Sequence, residues 1–354
     1  LVQLDEVPPG TTVFGEDFNY LSGSTSDATR YFSELSNVLR ERFDLQPDDL
    51  VVDIGSNDGS FLRFFEEKGL SVLGIEPTPK PAAAAIAAGI PTIGQRFEEA
   101  IEEILTRSNG RIRLLTALNV LAHTDTIHEF LECVKKVLVN NNSTFVSQSH
   151  YLPKLIENCE YDTIYHEHAR YYTATSLQSM LASHGISLFD VKESDYYGGS
   201  LIAYAGIGRE EQTSELQRIL SCEQYLREPE TYSRFADKVM ENRLKLRALL
   251  TSLKSDGKRL AGIGAPMKSS TILNYCGIDG SILDYLAEVN PLKVGTYSPG
   301  VHIKVVSEEH FFEDPPEVAL ILSWNVANSI MRKFRNRGYN GQFIIPIPEP
   351  RMAD

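Results

Sequence analysis

Short apolar runs and amphipathic segments alternate along most of this chain. "LVVDIG", "LSVLGIE", "IPTI", "IRLLTAL", "STFVSQS", "ISLFDVK" and "SLIAYAG" are strand-length apolar runs. Most are separated by one helix-sized segment, the spacing of βαβ units and a mainly parallel sheet. A short link through Gly198 and Gly199 joins the last two, so the seventh strand is expected to return antiparallel. Ahead of them, "TSDATRYFSELSNVLRERF" places Tyr31, Phe32, Leu35 and Leu39 at three- and four-residue steps, predicting a helix with one buried face. Residues 209–254 are charged, helical in pattern and without a strand. A second alternation begins at "KRLAGIGAPMKSSTILNY" and runs through "ILDYLAEVN", "VALILSWN" and "QFIIPIPEP", predicting a smaller C-terminal α/β domain. The expected organisation is a lead-in segment and helix over 1–45, a cofactor-binding domain over 46–208, a helical connector over 209–256 and the second α/β domain over 257–354.

Composition narrows the partners. With 354 residues the chain is long enough for two cores, and 42% hydrophobic with 23% charged residues is ordinary for a globular protein. A formal charge of -14 argues against nucleic acid or an anionic membrane, because uniform attraction to phosphate needs a basic face. The longest apolar stretches fall well short of a membrane span and no signal peptide is visible, so a cytoplasmic location is the default. Cys133, Cys159, Cys222 and Cys276 have no C-x-x-C spacing and are expected to be buried free thiols. The chain starts at Leu1 rather than Met, as a trimmed one would.

The first Gly-rich turn, in "VVDIGSNDGSFLRFF", sets Asp53, Gly55 and Gly59 where a strand gives way to a helix. Glycines there allow close approach of backbone to ligand, and the helix N-terminus favours a negative group. Glu76 ends the next strand, about twenty residues on, where a carboxylate can accept both hydroxyls of a ribose. These features suit a dinucleotide or S-adenosylmethionine. A dinucleotide site expects G-x-G-x-x-G, whereas this turn reads Asp-x-Gly-x-Asn-x-Gly. That is close to the D/E-x-G-x-G-x-G of class I methyltransferases, with Asn57 at the central glycine. An Asp at the first position suits an ammonium and repels a pyrophosphate, which favours S-adenosylmethionine. Asp53, Gly55, Asn57, Gly59 and Glu76, with Pro77, Phe97 and Asn119, form the expected cofactor site.

The second Gly-rich turn brings Gly262, Gly264, Ala265, Pro266, Lys268 and Ser269 to the first strand-helix crossing of the C-terminal domain. Met267 stands where a third glycine would, so the dinucleotide fingerprint is broken here too. Its backbone amides and Lys268 suit a phosphate, and tight packing without a ligand is the competing reading. Asn290, Lys293, Tyr297, Trp324 and Asn325 fall at the expected carboxyl ends of the next strands, the usual crevice of an open α/β sheet.

Between the fifth strand and the last helix of the first domain lies "YDTIYHEHARYY". Its ionisable and aromatic side chains allow three readings: a metal site using His166, Glu167 and His168, a structural hydrogen-bonded cluster, or a catalytic insert over 151–172 carrying a general base. Adjacent ligands rarely converge on one ion and H-E-x-x-H spacing is absent, so no metal is expected. Spacing alone does not rank His168 above His166.

Together, "YDTIYHEHARYY", "VVDIGSNDGSFL", "NVLAHT", "YYGGSL" and "GIGAPMKSSTILNYCGI" resemble the nucleotide-sugar C-methyltransferases that make branched deoxysugars, over essentially the whole chain. The resemblance implies a class I methyltransferase domain with a seven-stranded sheet, followed by a C-terminal domain that holds the nucleotide. It implies S-adenosylmethionine as methyl donor, S-adenosylhomocysteine as product, and C-3 of a 4-keto sugar as acceptor. It assigns the base to His168, with Tyr165 and Glu167 beside it, and adds His123 and Tyr20 to the catalytic group. Tyr20, Tyr165 and His123 are the expected donors to an enolate oxygen. Tyr197, Lys268, Ser269, Asn290, Lys293, Tyr297, Trp324 and Asn325 are the expected substrate contacts. The family usually carries an N-terminal zinc-binding module ending just before a segment like "LVQLDEVPPG", so such a module is expected to be missing here. Many relatives have a histidine where this chain has Tyr197. The expected partner is a small-molecule nucleotide sugar, with the enzyme a monomer or homodimer. O-methylation, an NAD oxidoreductase and a non-catalytic nucleotide-sugar binder are the alternatives.

Overall fold

All five residues of Leu50–Ile54 are buried, as a central parallel strand covered on both faces requires. The computed structural model describes residues 1–7, 15, 20–209 and 211–354. Residues 8–14 and 16–19 of the expected lead-in, and residue 210 of the expected connector, lie outside the described residues. The chain divides into two compact units, the first being Leu1–Leu152 with His166–Gln224 and the second Pro153–Tyr165 with Tyr225–Asp354.

The strands of the first unit are β1 (Val2–Gln3), β2 (Leu50–Ile54), β3 (Ser71–Ile75), β4 (Thr92–Ile93), β5 (Ile112–Leu118), β6 (Thr144–His150), β7 (Arg170–Tyr171), β8 (Ser187–Ser194) and β9 (Ser200–Gly206). Seven of them form one sheet in the order β4-β3-β2-β5-β6-β9-β8, with β9 antiparallel to both neighbours. That is the expected seven-stranded methyltransferase sheet with its last strand reversed. The pairing of β1 with β7 is antiparallel and short, Val2 opposite Tyr171 and Gln3 opposite Arg170. A two-residue ladder has no periodicity to read in advance.

Helix α1 (Ser26–Arg42) begins where the Thr25 hydroxyl accepts the Ala28 amide, and it buries Phe32, Leu35 and Leu39. With α2 (Arg63–Glu66) and α3 (Pro79–Ala87), it covers one face of the sheet in a core that includes Phe61, Phe65, Val146 and Tyr204. The other face packs against α4 (Phe97–Ser108), α5 (Ile127–Asn141), α7 (Ala174–Ser183) and α8 (Ser214–Cys222). Helix α6 (Leu152–Glu157) follows β6 directly.

The second unit repeats the architecture at smaller scale. Its strands are β10 (Leu260–Ile263), β11 (Leu286–Glu288), β12 (Val305–Ser307), β13 (Val318–Ile321), β14 (Gln342–Ile345) and β15 (Arg351–Ala353). They align as β12-β11-β10-β13-β14-β15, parallel but for β15. This order reverses direction beside β10, the switch point where an open α/β sheet forms a crevice. The core on one face takes in α9 (Pro229–Ser255) and α10 (Ser269–Cys276), and the other lies under α11 (Glu308–Glu313) and α12 (Ala327–Asn336).

Two expectations differ from the structure in where the chain changes unit. The connector 209–256 is two things: α8 packs on the first sheet through Leu216 and Ile219, and the 27-residue α9 packs on the second through Leu246 and Leu250. The insert 151–172 is also divided. Cys159 and Tyr161 join the core of the second unit, where the Tyr161 hydroxyl donates to Asn242 Oδ1 at 2.9 Å. Of the four free cysteines three are buried, but Cys222 is exposed at the end of α8, correcting the expectation for that thiol. No helix among the described residues is long and apolar enough to cross a membrane.

Candidate active site

The turn after β2 is built around Glu76. Its carboxylate accepts the Asn57 amide at 2.9 Å on one oxygen and the Thr78 amide at 2.7 Å on the other, so the end of β3 holds the turn in place. The Thr78 side chain bonds to the same carboxylate. Gly55 has φ of 66°, and a Cβ there would lie 2.7 Å from Val120 Cγ2, so only glycine fits. Gly59 has φ of 74° and is closed in by Ile90 at 2.9 Å. Asn57 occupies the left-handed region with φ of 51°, and its side chain is used locally: Oδ1 accepts the Ser22 amide at 2.9 Å and Nδ2 donates to the Tyr20 carbonyl at 3.2 Å. Asn57 is thus the residue that ties the segment carrying Tyr20 to the cofactor turn.

Asp53 is buried and accepts the Thr116 hydroxyl at 2.6 Å. Burial pushes its carboxyl up to about 7, against the Thr116 bond and with the help of the Glu76 charge. Among the described residues, Asn119 Oδ1, beside the carboxyl end of β5, is buried without a hydrogen-bond partner, as are Ser56 Oγ and Gln148 Nε2. A buried polar atom left unpaired is costly, and a bound polar molecule relieves that cost. Pro77 is exposed next to Glu76. Phe97 is 2% exposed, and its ring packs against Phe130 with centroids 5.2 Å apart in the core of the first unit.

The histidines meet at the carboxyl edge of the same sheet. His123 follows β5, and its Nδ1 lies 2.7 Å from the Glu167 carbonyl oxygen. A carbonyl only accepts, so Nδ1 carries the proton and Nε2 the lone pair. Burial lowers the His123 pKa to about 4, keeping the ring neutral. His123 therefore corrects one expectation: its ring N–H is spent on Glu167, so it orients the segment and has no N–H left for an enolate. The His168 ring is 5.0 Å from that of His123, 4.8 Å from that of His150 and 6.4 Å from that of Tyr171. His168 and Glu167 are buried and His166 is exposed. Tyr165 lies within the second unit.

His150, the last residue of β6, is the member that sequence reasoning missed. A histidine at the carboxyl end of a central parallel strand was the available signal. Its ring stands 6.2 Å from that of Tyr197, whose hydroxyl is hydrogen-bonded to the Tyr20 hydroxyl. Tyr197 has φ of 58°, unusual for an aromatic residue, and Tyr196 beside it stacks on Tyr31 at 3.8 Å. The Tyr31 hydroxyl in turn donates to Gln148 Oε1 at 2.7 Å. The turn before β9 is thereby pinned to α1 and β6.

In the second unit, Glu288 at the end of β11 accepts the amides of Ala265, Val289 and Asn290. Lys293 Nζ donates to the Ala265 carbonyl at 2.9 Å. Lys268 lies over the Trp324 ring at 4.2 Å and 3.5 Å from Asp162 Oδ2, which also accepts Trp324 Nε1 at 2.6 Å. Glu288 and Asp162 were not foreseen. Ser269 is buried and donates its hydroxyl to the Pro266 carbonyl at 2.7 Å, a local helix-start bond. Tyr297 is 60% exposed, and Asn325 lies half-buried in the turn before α12. Among the described residues no group of three or more His, Cys, Asp or Glu side chains is placed to hold a metal ion.

Known families and proteins resemble this chain in sequence along most of its length. A methyltransferase-domain family matches residues 26–190, and a C-methyltransferase C-terminal domain family matches residues 195–348. The C-methyltransferase NovU of Streptomyces niveus is 33% identical over 359 aligned positions, covering 99% of this chain and 84% of that protein. Among solved structures, the magnesium protoporphyrin IX methyltransferase of Synechocystis with bound S-adenosylmethionine is 14% identical, with 58% of this chain and 100% of that one covered at a TM-score of 0.40. An S-adenosylmethionine-dependent methyltransferase of Clostridium acetobutylicum is 12% identical, covering 51% of this chain and 92% of that one at a TM-score of 0.40. Asp53, Glu76 and Asn119 set carboxyl and amide groups around the first turn, the kind of groups that would hold a methyl donor such as S-adenosylmethionine. A methyltransferase domain and a C-methyltransferase C-terminal domain follow one another here, a C-methyltransferase matches over 99% of the chain, and the chain belongs to the C-methyltransferase family.

Proposed function

We propose that this enzyme methylates the carbon next to a ketone in a nucleotide-linked deoxysugar, at C-3 beside a 4-keto group, with His168 as general base. The observation that carries the reading is His168 itself. It is the one histidine of "YHEH" turned inward, and its ring contacts His123 and His150 at the carboxyl edge of the cofactor-binding sheet. A C–H next to a ketone is acidic enough to be removed by an imidazole, and a positioned base contributes about 100- to 10,000-fold in rate. The electron pair left behind forms an enolate. The Tyr20 and Tyr197 hydroxyls, bonded to one another beside His150, are the neutral donors suited to its oxygen. When bound, the cofactor supplies an electrophilic methyl group. Asp53 and Glu76 orient it through its ammonium and ribose.

The C-terminal unit is assigned the nucleotide. Its Gly-rich turn at the switch point of a 3-2-1-4-5 sheet, with Lys268, Lys293, Asn290 and Trp324 around it, supports that role. Incubation of the enzyme with methyl-labelled S-adenosylmethionine and a nucleotide-linked 4-keto-deoxysugar tests the reading by NMR. A new methyl signal on carbon is the expected result, and a methoxy signal or no transfer would overturn it.

A further inference from the structure

Gln148 has a side-chain amide with one half engaged and the other unpaired. Its Oε1 accepts the Tyr31 hydroxyl at 2.7 Å. That phenol is itself held, stacked on Tyr196 with ring centroids 3.8 Å apart and bonded to the Ser194 side chain. Turning the amide over would give up the Tyr31 bond, so Nε2 stays the open donor. Gln148 is fully buried and Nε2 has no hydrogen-bond partner. On the neighbouring strand Leu118 is paired with Gln148, and the next residue is Asn119, whose backbone amide donates to the Gln148 carbonyl at 2.8 Å. Asn119 Oδ1 is likewise buried and unpaired. A donor and an acceptor are thus both left open near the carboxyl ends of two adjacent strands, and an α-amino acid zwitterion offers the complement of each. We propose that Gln148 binds the methyl donor, its Nε2 donating to the carboxylate at the amino-acid end of S-adenosylmethionine. The inference rests on the reading of that molecule as the methyl donor.

The register of the sheet says why this end of the ligand and not the sugar. Asp53 is paired with Thr116, and Thr116 with Val146, so all three side chains lie on one face at one level. Gln148 and His150 follow Val146 on that same face, since alternate residues of a strand point the same way and β6 keeps an unbroken register with β9. Each step is about 7 Å. Asp53, which suits the ammonium, is one step below Gln148. His150, whose ring meets that of His168 at 4.8 Å, is one step above it. Gln148 therefore stands between the level of the ammonium and the level of the base. A hydrogen bond to a carboxylate is stronger than one between neutral groups, and a buried, pre-aimed amide makes it without losing a partner of its own.

Calorimetric titration with two ligands tests this: S-adenosylhomocysteine, which keeps the amino-acid end, and methylthioadenosine, which lacks it. Gln148→Met keeps the length of the side chain and removes the N–H. It should weaken S-adenosylhomocysteine by about tenfold or more, while methylthioadenosine stays within about twofold. Gln148→Glu keeps an acceptor for Tyr31 and sets a carboxylate against the ligand's own. It should weaken S-adenosylhomocysteine at least as much at neutral pH, and methylthioadenosine again little. Equal loss of both ligands in the two variants would mark a structural role and overturn the proposal. Wild-type affinity for S-adenosylhomocysteine in both would overturn it too, and slower cofactor-free exchange alongside would place Nε2 against the enolate oxygen instead. If the unaltered enzyme binds S-adenosylhomocysteine and the variants match it, only the role of Gln148 is rejected. If the unaltered enzyme does not bind it, the methyl donor is rejected, and this inference with it.

Discussion

The two sheets of this enzyme secure their first strand-helix turn by the same device. Glu76 at the end of β3 and Glu288 at the end of β11 each point a carboxylate back at the turn after the neighbouring strand and accept one of its backbone amides, that of Asn57 in the first and Ala265 in the second, besides amides that follow their own strand. What surrounds the two turns is different. Around the first, Ser56 Oγ, Asn119 Oδ1 and Gln148 Nε2 are buried with no partner among the described residues. Around the second, the cations expected to meet a phosphate are already engaged, Lys268 with Asp162 and Trp324, and Lys293 with the Ala265 carbonyl. The topology of the two units is shared, and the side chains differ. Among the described residues, three buried polar atoms are unpaired around the first turn, whereas the second has internal counter-charges, and of the polar side-chain atoms of Lys268, Asp162 and Trp324 only Asp162 Oδ1 is buried and unpaired.

The largest effect should come from opening the second turn. Asp162 is fully buried; burial raises its pKa, and Lys268 and Trp324 oppose the rise. Lys268→Met leaves that carboxyl without its ammonium and should cost about 3–5 kcal/mol. Denaturant unfolding followed at Trp324, the one tryptophan of the chain, reads this directly. Adding Asp162→Asn should recover much of the loss, and a cost under about 1 kcal/mol for Lys268→Met would show the pair to be open in solution.

The glutamates give a smaller and more selective contrast. Removing one strands its amides, at about 1–3 kcal/mol for each left unpaired. Glu76→Ala should weaken S-adenosylmethionine binding by about tenfold or more in calorimetry, one lost hydrogen-bonding group being enough for that. Glu288→Ala should leave that affinity unchanged and lower the unfolding midpoint read at Trp324. Equal losses of cofactor affinity in both would erase the distinction between the turns.

The smallest effect is a pH dependence set by Asp53. Its folded pKa of about 7 lies above the ordinary 3.8, so the folded protein binds the extra proton between those values. That contribution to stability is fully present below the ordinary value and is lost as pH rises through about 7. A cofactor ammonium favours the carboxylate. Binding should therefore release a proton below about pH 7, and affinity should fall by up to about tenfold per pH unit there. Calorimetry in buffers of different ionisation enthalpy measures the proton, and an affinity flat from about pH 5 to 8 would contradict the assignment.

How much of this was legible depended on whether a residue's role was set by local pattern or by what the chain folded against. The seven apolar runs announced the first sheet and its reversed last strand, because buried parallel strands have no choice but to be apolar. Asp53, Gly55 and Glu76 were legible for a similar reason, since a tight turn and strand end constrain residue type. His150 was not, because nothing local distinguishes a strand-end histidine facing a cluster from one facing solvent. The pairing of Lys268 with Asp162 spans more than a hundred residues and was equally invisible. So was the burial of Phe97, whose place at the start of α4 is compatible with core or crevice.

The most direct test of the account is deuterium exchange at the carbon next to the ketone, measured on a nucleotide-linked 4-keto-deoxysugar with no cofactor present. Wild-type enzyme should exchange that hydrogen, and His168→Ala should be slower by about 100-fold or more, while His166→Ala, at the exposed position, exchanges at the wild-type rate. Exchange that survives in His168→Ala, or is lost only in His166→Ala, would contradict it.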